Sequence, residues 1–258
     1  MLPESTMRAL LLSDIHLRDV TSAKAQVLCR FLLEVGTQCD AIYILGDLFD
    51  VWPQTNAHLL YTFRPLIHVF RRLREAKVRI VLFEGNHDFQ FGDFFRKTLD
   101  IEVITNSLCE EWQERSVYLT HGDLANDRDY GYRALRALLR SRPLQSLLRV
   151  LPSNLVYELG GRFSRLSRRL QKKRNPASLV ARDEAVRQRY RRHAMKLFAQ
   201  GYHLVIMGHT HIVDDFTAKV GPRQCRYLNT GDWVRNFSYW MYDQGHFTCH
   251  THQIIEEA

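Results

Sequence analysis

The sequence predicts an α/β protein with one main domain and a helical insertion. Three observations lead to this prediction. The 258 residues, 45% of them hydrophobic, are enough to bury a sizeable core. Short runs of β-branched and large apolar residues alternate with amphipathic helical patterns. Each run ends in a polar cluster, as strands of an open α/β sheet do where they reach a ligand site.

Five of the apolar runs are predicted to be buried strands. The polar clusters that follow them read SDIH, GDLFD, EGNHD, HGD and GHTH in chain order. After the last cluster the pattern changes to alternation and turns, which predicts antiparallel strands. The runs are Arg8 to Ser13, Ala41 to Leu45, Val78 to Phe83, Val117 to Thr120 and Leu204 to Met207.

Two amphipathic helices are predicted between the first three strands, because apolar residues recur there at helical spacing. The first presents Val27, Leu28, Phe31, Leu32 and Val35 on one face. The second presents Leu59, Phe63, Leu66, Ile67, Phe70 and Leu73.

Charge divides the chain into two regions. Residues 132–196 hold eighteen Lys or Arg and three Asp or Glu, whereas the whole chain has a net charge of +8. The basic region is predicted to be helical throughout, so we expect a core over residues 1–131 and 197–258 with a basic helical insertion over 132–196. An excess of positive charge favours polyanionic partners such as nucleic acid, anionic lipid or phosphorylated substrates.

Composition excludes several classes of protein. The chain is neither collagen-like nor of low complexity, and no stretch approaches the ~18 consecutive apolar residues of a membrane span. No signal peptide is recognisable at the start of the sequence, and a cytoplasmic location is expected. The cysteines are odd in number, scattered and without a CxxC pair, which fits a reducing compartment better than a disulfide framework.

The polar clusters contain a set of candidate metal ligands. Loops at the carboxyl ends of strands converge on one edge of a sheet, and an extended DxH or HxH segment would point both of its ligands to the same side. Imidazole, carboxylate and amide donors without thiolate suit Mn, Fe or Zn, and seven donors suit two ions that share one carboxylate. The candidates are Asp14, His16, Asp47, Asn86, His121, His209 and His211.

The ordered motifs DIH, GDLFD, GNHD, HGD and GHTH resemble the signature of the calcineurin-like metallophosphoesterases, over residues 14–211. The resemblance implies a four-layer αββα sandwich and two divalent metal ions bridged by Asp47. It assigns Asp14, His16 and His211 to one ion, and Asn86, His121 and His209 to the other. It further implies that His87 protonates the leaving oxygen and that Asp88 orients its imidazole.

A narrower resemblance concerns the substrate. YILGDLFDVW, GNHDF and HGDLANDRDYGYRALR, followed by a basic helical insertion, are similar to the UDP-2,3-diacylglucosamine pyrophosphohydrolases of lipid A synthesis. That family releases UMP and 2,3-diacylglucosamine 1-phosphate, typically with Mn(II), and carries a helical lid. By motif, Trp52, Phe89, Asp129 and Tyr132 match positions that line its substrate site. Many of its members have GNRD, however, whereas His87 gives this chain GNHD.

The insertion predicts contact with a membrane surface. Leucines alternate with arginines from Arg133 onward, and a basic amphipathic helix of this kind can lie on anionic lipid. The segment RFSRLSRRLQKKR adds further positive charge. The expected enzyme therefore acts on a nucleotide-sugar lipid, peripherally at the cytoplasmic side of the inner membrane. Alternatively, the leucines simply pack on the sandwich.

Two other functions stay open. A phosphodiesterase acting on nucleic acid or small nucleotides would use the insertion to follow a phosphate backbone, but the insertion has few aromatic residues for base stacking. A scaffold that has lost its chemistry would lack metal ligands, and none is missing from the motifs.

Overall fold

A computed structural model describes residues 7–52, 55–152 and 176–253. Two β-sheets pack face to face, and helices cover their outer faces. The α/β class and the two-sheet sandwich expected from the sequence are therefore confirmed.

Among the described residues, the first sheet has six strands in the order β11-β10-β1-β2-β3-β4. β1 to β4 run parallel, whereas β10 is antiparallel to both β1 and β11. The strands are β1 (Arg8–Leu12), β2 (Ala41–Ile44), β3 (Arg79–Phe83), β4 (Glu102–Ile104), β10 (Ser238–Asp243) and β11 (His246–Thr251).

The second sheet, within the same described ranges, has five strands in the order β5-β6-β7-β9-β8. Its central strands β6, β7 and β9 are parallel, and the outer strands are antiparallel to their neighbours. The strands are β5 (Ser107–Trp112), β6 (Arg115–Thr120), β7 (Leu204–Met207), β8 (Val213–Val220) and β9 (Arg223–Thr230).

The first helices follow the predicted apolar faces, with one interruption. The second predicted helix is broken at Phe63, whose φ of −101° and ψ of 17° end one helix and precede the next. Pro65 stands in the first turn of the second piece, where its missing N–H costs nothing. The helices are α1 (Ala23–Glu34), α2 (Ala57–Thr62) and α3 (Arg64–Glu75).

Alternating side chains along the strands divide the interior into three apolar layers. Leu10 and Leu12 of β1 face α1 and α3, whereas Ala9 and Leu11 face the second sheet. On the far side of the second sheet, Val205 packs against a further helix, α6 (Pro176–Ala199). The order of layers is thus helix, sheet, sheet, helix.

The basic region begins with two helices that bury little apolar surface, α4 (Tyr130–Leu139) and α5 (Arg142–Val150). No residue of α4 is buried, and Leu138 is 59% exposed. Leu138 therefore does not pack on the sandwich as the alternative expected, whereas Leu139 is half-buried. The segment RFSRLSRRLQKKR lies outside the described residues.

The end of the basic region joins the core. Tyr190 and Ala194 of α6 are buried against the second sheet, together with Leu197 and Phe198. The boundary predicted between residues 196 and 197 thus falls inside a continuous helix. Among the described helices, none combines the length and hydropathy needed to cross a bilayer.

Candidate metal centre

The structure brings the seven predicted ligands together at the carboxyl ends of five strands, β1, β2, β3, β6 and β7. Asp47 lies at the middle of the group and is 1% exposed. Its Oδ2 atom is 3.6 Å from Nε2 of His16 and 3.7 Å from Nε2 of His121. One carboxylate oxygen therefore faces imidazoles that come from different sheets.

The first group of ligand atoms surrounds Asp14. Donor atoms of Asp14, His16 and His211 all lie within 4.8 Å of one another. His211 Nε2 is 3.4 Å from Asp14 Oδ1, and the rings of His16 and His211 stack with centroids 5.2 Å apart.

The second group surrounds His121. Donor atoms of Asp47, His121 and His209 also lie within 4.8 Å of one another. His121 Nε2 is 3.1 Å from Asn86 Oδ1 and 3.1 Å from His209 Nδ1. Asn86, from the first sheet, thus meets His121 and His209 from the second.

The donor set fits divalent cations. Asp14 is fully buried, yet its Oδ1 atom makes no hydrogen bond among the described residues, although His211 Nε2 lies 3.4 Å away. A buried carboxylate oxygen without a partner is costly unless a cation or another donor satisfies it. His121 Nδ1 lies 2.7 Å from the carbonyl oxygen of Leu45 and donates to it, so Nε2 is the atom that faces the other ligands.

Burial and charge set the protonation of the group. Burial lowers the pKa of both His16 and His209 to about 4, so both are neutral imidazoles at pH 7. Burial also disfavours charge on His121, but the carboxylates of Asp47 and Asp14 prevail and raise its pKa to about 9. Asp47 is buried as well, and the surrounding imidazoles hold its pKa below the ordinary value. A cation would therefore displace a proton from His121.

The backbone of the ligand loops is strained and not extended as expected. Asp14 and His16 have φ values of 53° and 50°, and His209 and His211 have φ values of 69° and 60°. Asp47 shares this left-handed conformation, with φ at 54°. Such values are uncommon outside glycine and cluster at functional sites. The expectation that extended DxH and HxH segments align their ligands is wrong.

Asp88 fastens the loops together and does not orient His87. Its Oδ1 accepts from the backbone N–H of Asp47 at 3.0 Å and of Gly85 at 2.9 Å, and its Oδ2 accepts from Phe49 N at 3.0 Å. The imidazole of His87 instead donates from Nδ1 to the carbonyl oxygen of Asp50 at 3.0 Å. The role expected for Asp88 is therefore corrected, because both of its oxygens are directed at backbone amides.

Two further polar residues at the site were missed by sequence reasoning. Asp50 is buried, and its Oδ1 lies 3.8 Å from His16 Nδ1. Ser13 is buried and donates through Oγ to Asp14 Oδ2, which also accepts from the backbone N–H of His209 at 2.7 Å. Ser13 is the first residue of the motif SDIH, and Asp50 is the last residue of GDLFD. Their positions within motifs that contain a predicted ligand could have indicated a role at the site.

The four predicted substrate residues occupy different environments. Trp52 is fully buried, stacks on Phe49 and offers no surface to a substrate in this conformation. Phe89 is 7% exposed and is covered by the guanidinium of Arg140.

The other two of the four belong to the start of α4. The side chain of Asp129 caps the helix by accepting from Tyr132 N at 3.0 Å. Tyr132 is half-buried and donates through its hydroxyl to Asp123. Asp129 is thus the exposed member of the set.

Comparison with known proteins identifies related sequences over most of the chain. The calcineurin-like phosphoesterase family model matches residues 7–213. A UDP-2,3-diacylglucosamine hydrolase from Azotobacter vinelandii is 32% identical over 231 residues, which cover 89% of this chain and 92% of that protein. A second protein of that name, from Pseudomonas savastanoi pv. phaseolicola, is 28% identical and covers 96% of this chain and 97% of its own length.

Solved structures that match this chain are more distant in sequence. A dimetal phosphatase from Danio rerio superimposes with a TM-score of 0.46 at 14% identity, covering 96% of this chain and 99% of its own.

Proposed function

This chain belongs to the calcineurin-like phosphoesterase family, and we propose that it is the hydrolase that splits the diphosphate of UDP-2,3-diacylglucosamine into UMP and 2,3-diacylglucosamine 1-phosphate. The reaction class, metal-dependent hydrolysis of a phosphoester, is inferred from the cluster of seven donor residues centred on Asp47. The proposed substrate is inferred from relatives named UDP-2,3-diacylglucosamine hydrolase. They match this chain over 92% and 97% of their own lengths.

Two divalent cations, Mn(II) by the family resemblance, are the proposed cofactors. Asp14, His16 and His211 would hold one ion, Asn86, His121 and His209 would hold the other, and Asp47 would bridge them. When bound, such a pair supplies Lewis-acid neutralisation of the charge that develops on the phosphoryl oxygens. The neutral imidazoles of His16 and His209 and the ionised carboxylate of Asp47 support this assignment.

His87 is proposed as the acid that assists the leaving phosphate. A carbonyl oxygen can only accept a hydrogen bond, so the contact with Asp50 fixes a proton on Nδ1 of the imidazole. A second proton on Nε2 makes the imidazolium, and the ring lies beside His16 with centroids 4.8 Å apart. That position supports proton donation at the metal cluster.

The backbone of Trp52 holds His87 in place. Trp52 N donates to the carbonyl oxygen of His87 at 3.0 Å, and Phe89 N donates to the carbonyl oxygen of Trp52 at 2.9 Å. This short pairing anchors both ends of the HDF segment. It supports an indirect contribution of Trp52, through the position of His87, because the fully buried Trp52 side chain offers no surface to a substrate in this conformation.

The insertion is proposed to receive the lipid part of the substrate at an anionic membrane surface, on the cytoplasmic side of the inner membrane. Leu138, Leu147 and Val150 are 59%, 52% and 78% exposed on α4 and α5. Arg133 and Arg142 are exposed on the same helices. Apolar side chains among arginines suit the interface of an anionic bilayer. Asp129, exposed at the start of α4, is the proposed polar contact with the substrate.

The experiment is to incubate the purified protein and Mn(II) with UDP-2,3-diacylglucosamine, and separately with a chromogenic phosphodiester. Release of UMP with little turnover of the phosphodiester is the expected result. Rapid turnover of the phosphodiester without UMP release would reject the substrate while leaving the metal chemistry in place. His121→Ala, which removes a proposed ligand, should abolish both reactions.

A further inference from the structure

Three polar side chains form one face of α4, where a core-packing helix would present apolar residues. Tyr132, Arg136 and Arg140 are spaced by four residues and therefore lie on the same side of the helix. The side chains of Arg136 and Arg140 are only 15% and 13% exposed. Arginine side chains are seldom covered to this extent unless they are paired. Arg136 and Arg140 are therefore expected to have specific partners beneath the helix.

The first partner is the HGD loop at the end of β6. The buried carboxylate of Asp123, two residues after His121, accepts from the hydroxyl of Tyr132 and from Arg136 Nε at 2.8 Å. Arg136 also donates through Nη2 to Asn106 Oδ1 at 3.0 Å, in the connection between β4 and β5. These contacts fix α4 to the second sheet beside His121.

The second partner is the GNHD loop at the end of β3. Arg140 pairs through Nη1 with buried Glu84 and donates through Nη2 to the carbonyl oxygen of Gly85 at 3.0 Å. The other oxygen of Glu84 accepts from Gln90 N at 2.6 Å and so closes the loop that contains Asn86. These contacts fix the end of α4 to the first sheet beside Asn86.

Helix α4 therefore contacts one loop from each sheet. His121 lies in the loop bound by Arg136, and Asn86 lies in the loop bound by Arg140. The loops of the other ligand group have supports elsewhere. Lys24 Nζ donates to the carbonyl oxygens of Ile15 and His16 in the DIH loop. Asn229 Nδ2 donates to the carbonyl oxygen of Gly208 at 2.8 Å in the GHTH loop, which contains His211 of this group and also His209 of the Asn86 and His121 group.

We propose that Tyr132, Arg136 and Arg140 are positioning residues that set the geometry, and hence the affinity, of the one metal site that Asn86 and His121 complete. The inference rests on the proposed two-metal function and adds that the insertion controls only one of its two sites. Because α4 begins at Asp129, the proposed substrate contact, the same helix connects the substrate side of the protein to that metal site.

The experiment measures Mn(II) binding without substrate, by electron paramagnetic resonance of free Mn(II), for the full chain and its variants. Removal of groups that orient ligands typically weakens metal affinity by about 10–100-fold. Arg140→Met should lower the Mn(II) affinity of one site by that factor and leave the affinity of the other site within about 2-fold of the wild-type value. Arg140→Lys should retain part of the affinity that Arg140→Met loses, because lysine keeps the positive charge but lacks the planar guanidinium with its two donor groups. Arg142→Met, at an exposed arginine on α5, is the matched control and should bind both ions as the wild type does.

Two results would overturn the proposal: unchanged affinity for both ions in Arg140→Met, or equal weakening of both. If Arg140→Met does not fold, Tyr132→Phe decides the matter, because it removes a single hydroxyl and should weaken the same single site. The measurement needs no substrate, so a failure to release UMP would reject the proposed substrate and leave this result standing. A wild-type protein that binds fewer than two ions would overturn both the metal centre and the positioning role.

Discussion

The carboxylate of Asp88 accepts a hydrogen bond from the backbone N–H of Asp47 at 3.0 Å, in a fully buried position. It accepts a second one from Phe49 N at 3.0 Å, so one side chain fixes the loop that presents Asp47. Asp88→Ala would leave both amides unpaired. An unsatisfied buried N–H costs roughly 1–3 kcal/mol, so the free energy of unfolding should fall by about 2–6 kcal/mol for the two amides.

Chemical denaturation of the metal-free protein measures this loss. Asp93→Ala is the matched control, since Asp93 is an exposed carboxylate that pairs with Lys97, and it should change stability little. Equal stability of Asp88→Ala and wild type would show that Asp88 does not fasten the loop.

Gly85 lies against the carboxylate of Asp47, the proposed bridge between the two ions. A Cβ atom added at Gly85 would lie 2.0 Å from Asp47 Oδ1 and 2.5 Å from the backbone nitrogen of Asp47. Because backbone cannot move aside cheaply, Gly85→Ala should displace Asp47 and abolish turnover and Mn(II) binding. Gly131→Ala on α4, where the nearest atom is 4.0 Å away, should retain both. Normal metal binding in Gly85→Ala would contradict the close packing around Asp47.

His87→Gln tests proton donation to the leaving group. Loss of a general acid typically reduces kcat by about 10²–10⁴-fold. We expect a loss in that range with UDP-2,3-diacylglucosamine and a smaller one with an ester of a good leaving group, such as p-nitrophenol, which departs without a proton. Both Mn(II) ions should remain bound. Equal losses with the two substrates would mean that His87 serves the structure of the site instead.

Exposed apolar residues on α4 and α5 should mediate binding to anionic membranes. Binding of the full chain to phosphatidylglycerol vesicles should exceed binding to phosphatidylcholine vesicles and should fall as salt rises. Leu138→Asp combined with Val150→Asp should reduce vesicle binding severalfold. Cys249→Asp, at an exposed position on β11, is the control and should bind as the wild type does. If vesicle binding is the same for both lipids and is unchanged in the double variant, the proposed membrane contact is rejected.

The sequence predicted the strands and the convergence of the candidate ligand residues well, for a local reason. Buried parallel strands are short apolar runs, and their carboxyl ends must meet at one edge of a sheet. The predicted run Leu204 to Met207 coincides with β7, and Ala41 to Leu45 differs from β2 by one residue. The ligands follow the strand ends directly, so correct strands brought Asp47 and His121 together.

What the sequence could not predict depends on long-range contacts. Apolar periodicity shows which residues share a face of α4, but not that Arg140 would be the residue turned inward toward Glu84. The partner of Asp88 was likewise mistaken, because a neighbouring His87 suggested a side-chain contact, whereas two of the three amides that Asp88 binds are about forty residues away. The left-handed φ values of Asp14 and His209 were also missed, because Asp and His adopt this conformation more often than most residues but neither requires it.

The most direct test of the central claim is anomalous diffraction from crystals grown with Mn(II). Two peaks about 3.5–4 Å apart should lie on either side of Asp47, one near Asp14 and one near His121. Asp47→Asn, which retains the side-chain shape and removes the bridging charge, should lose at least one peak. A single fully occupied peak in the wild type, or a pair that does not share Asp47, would contradict the account.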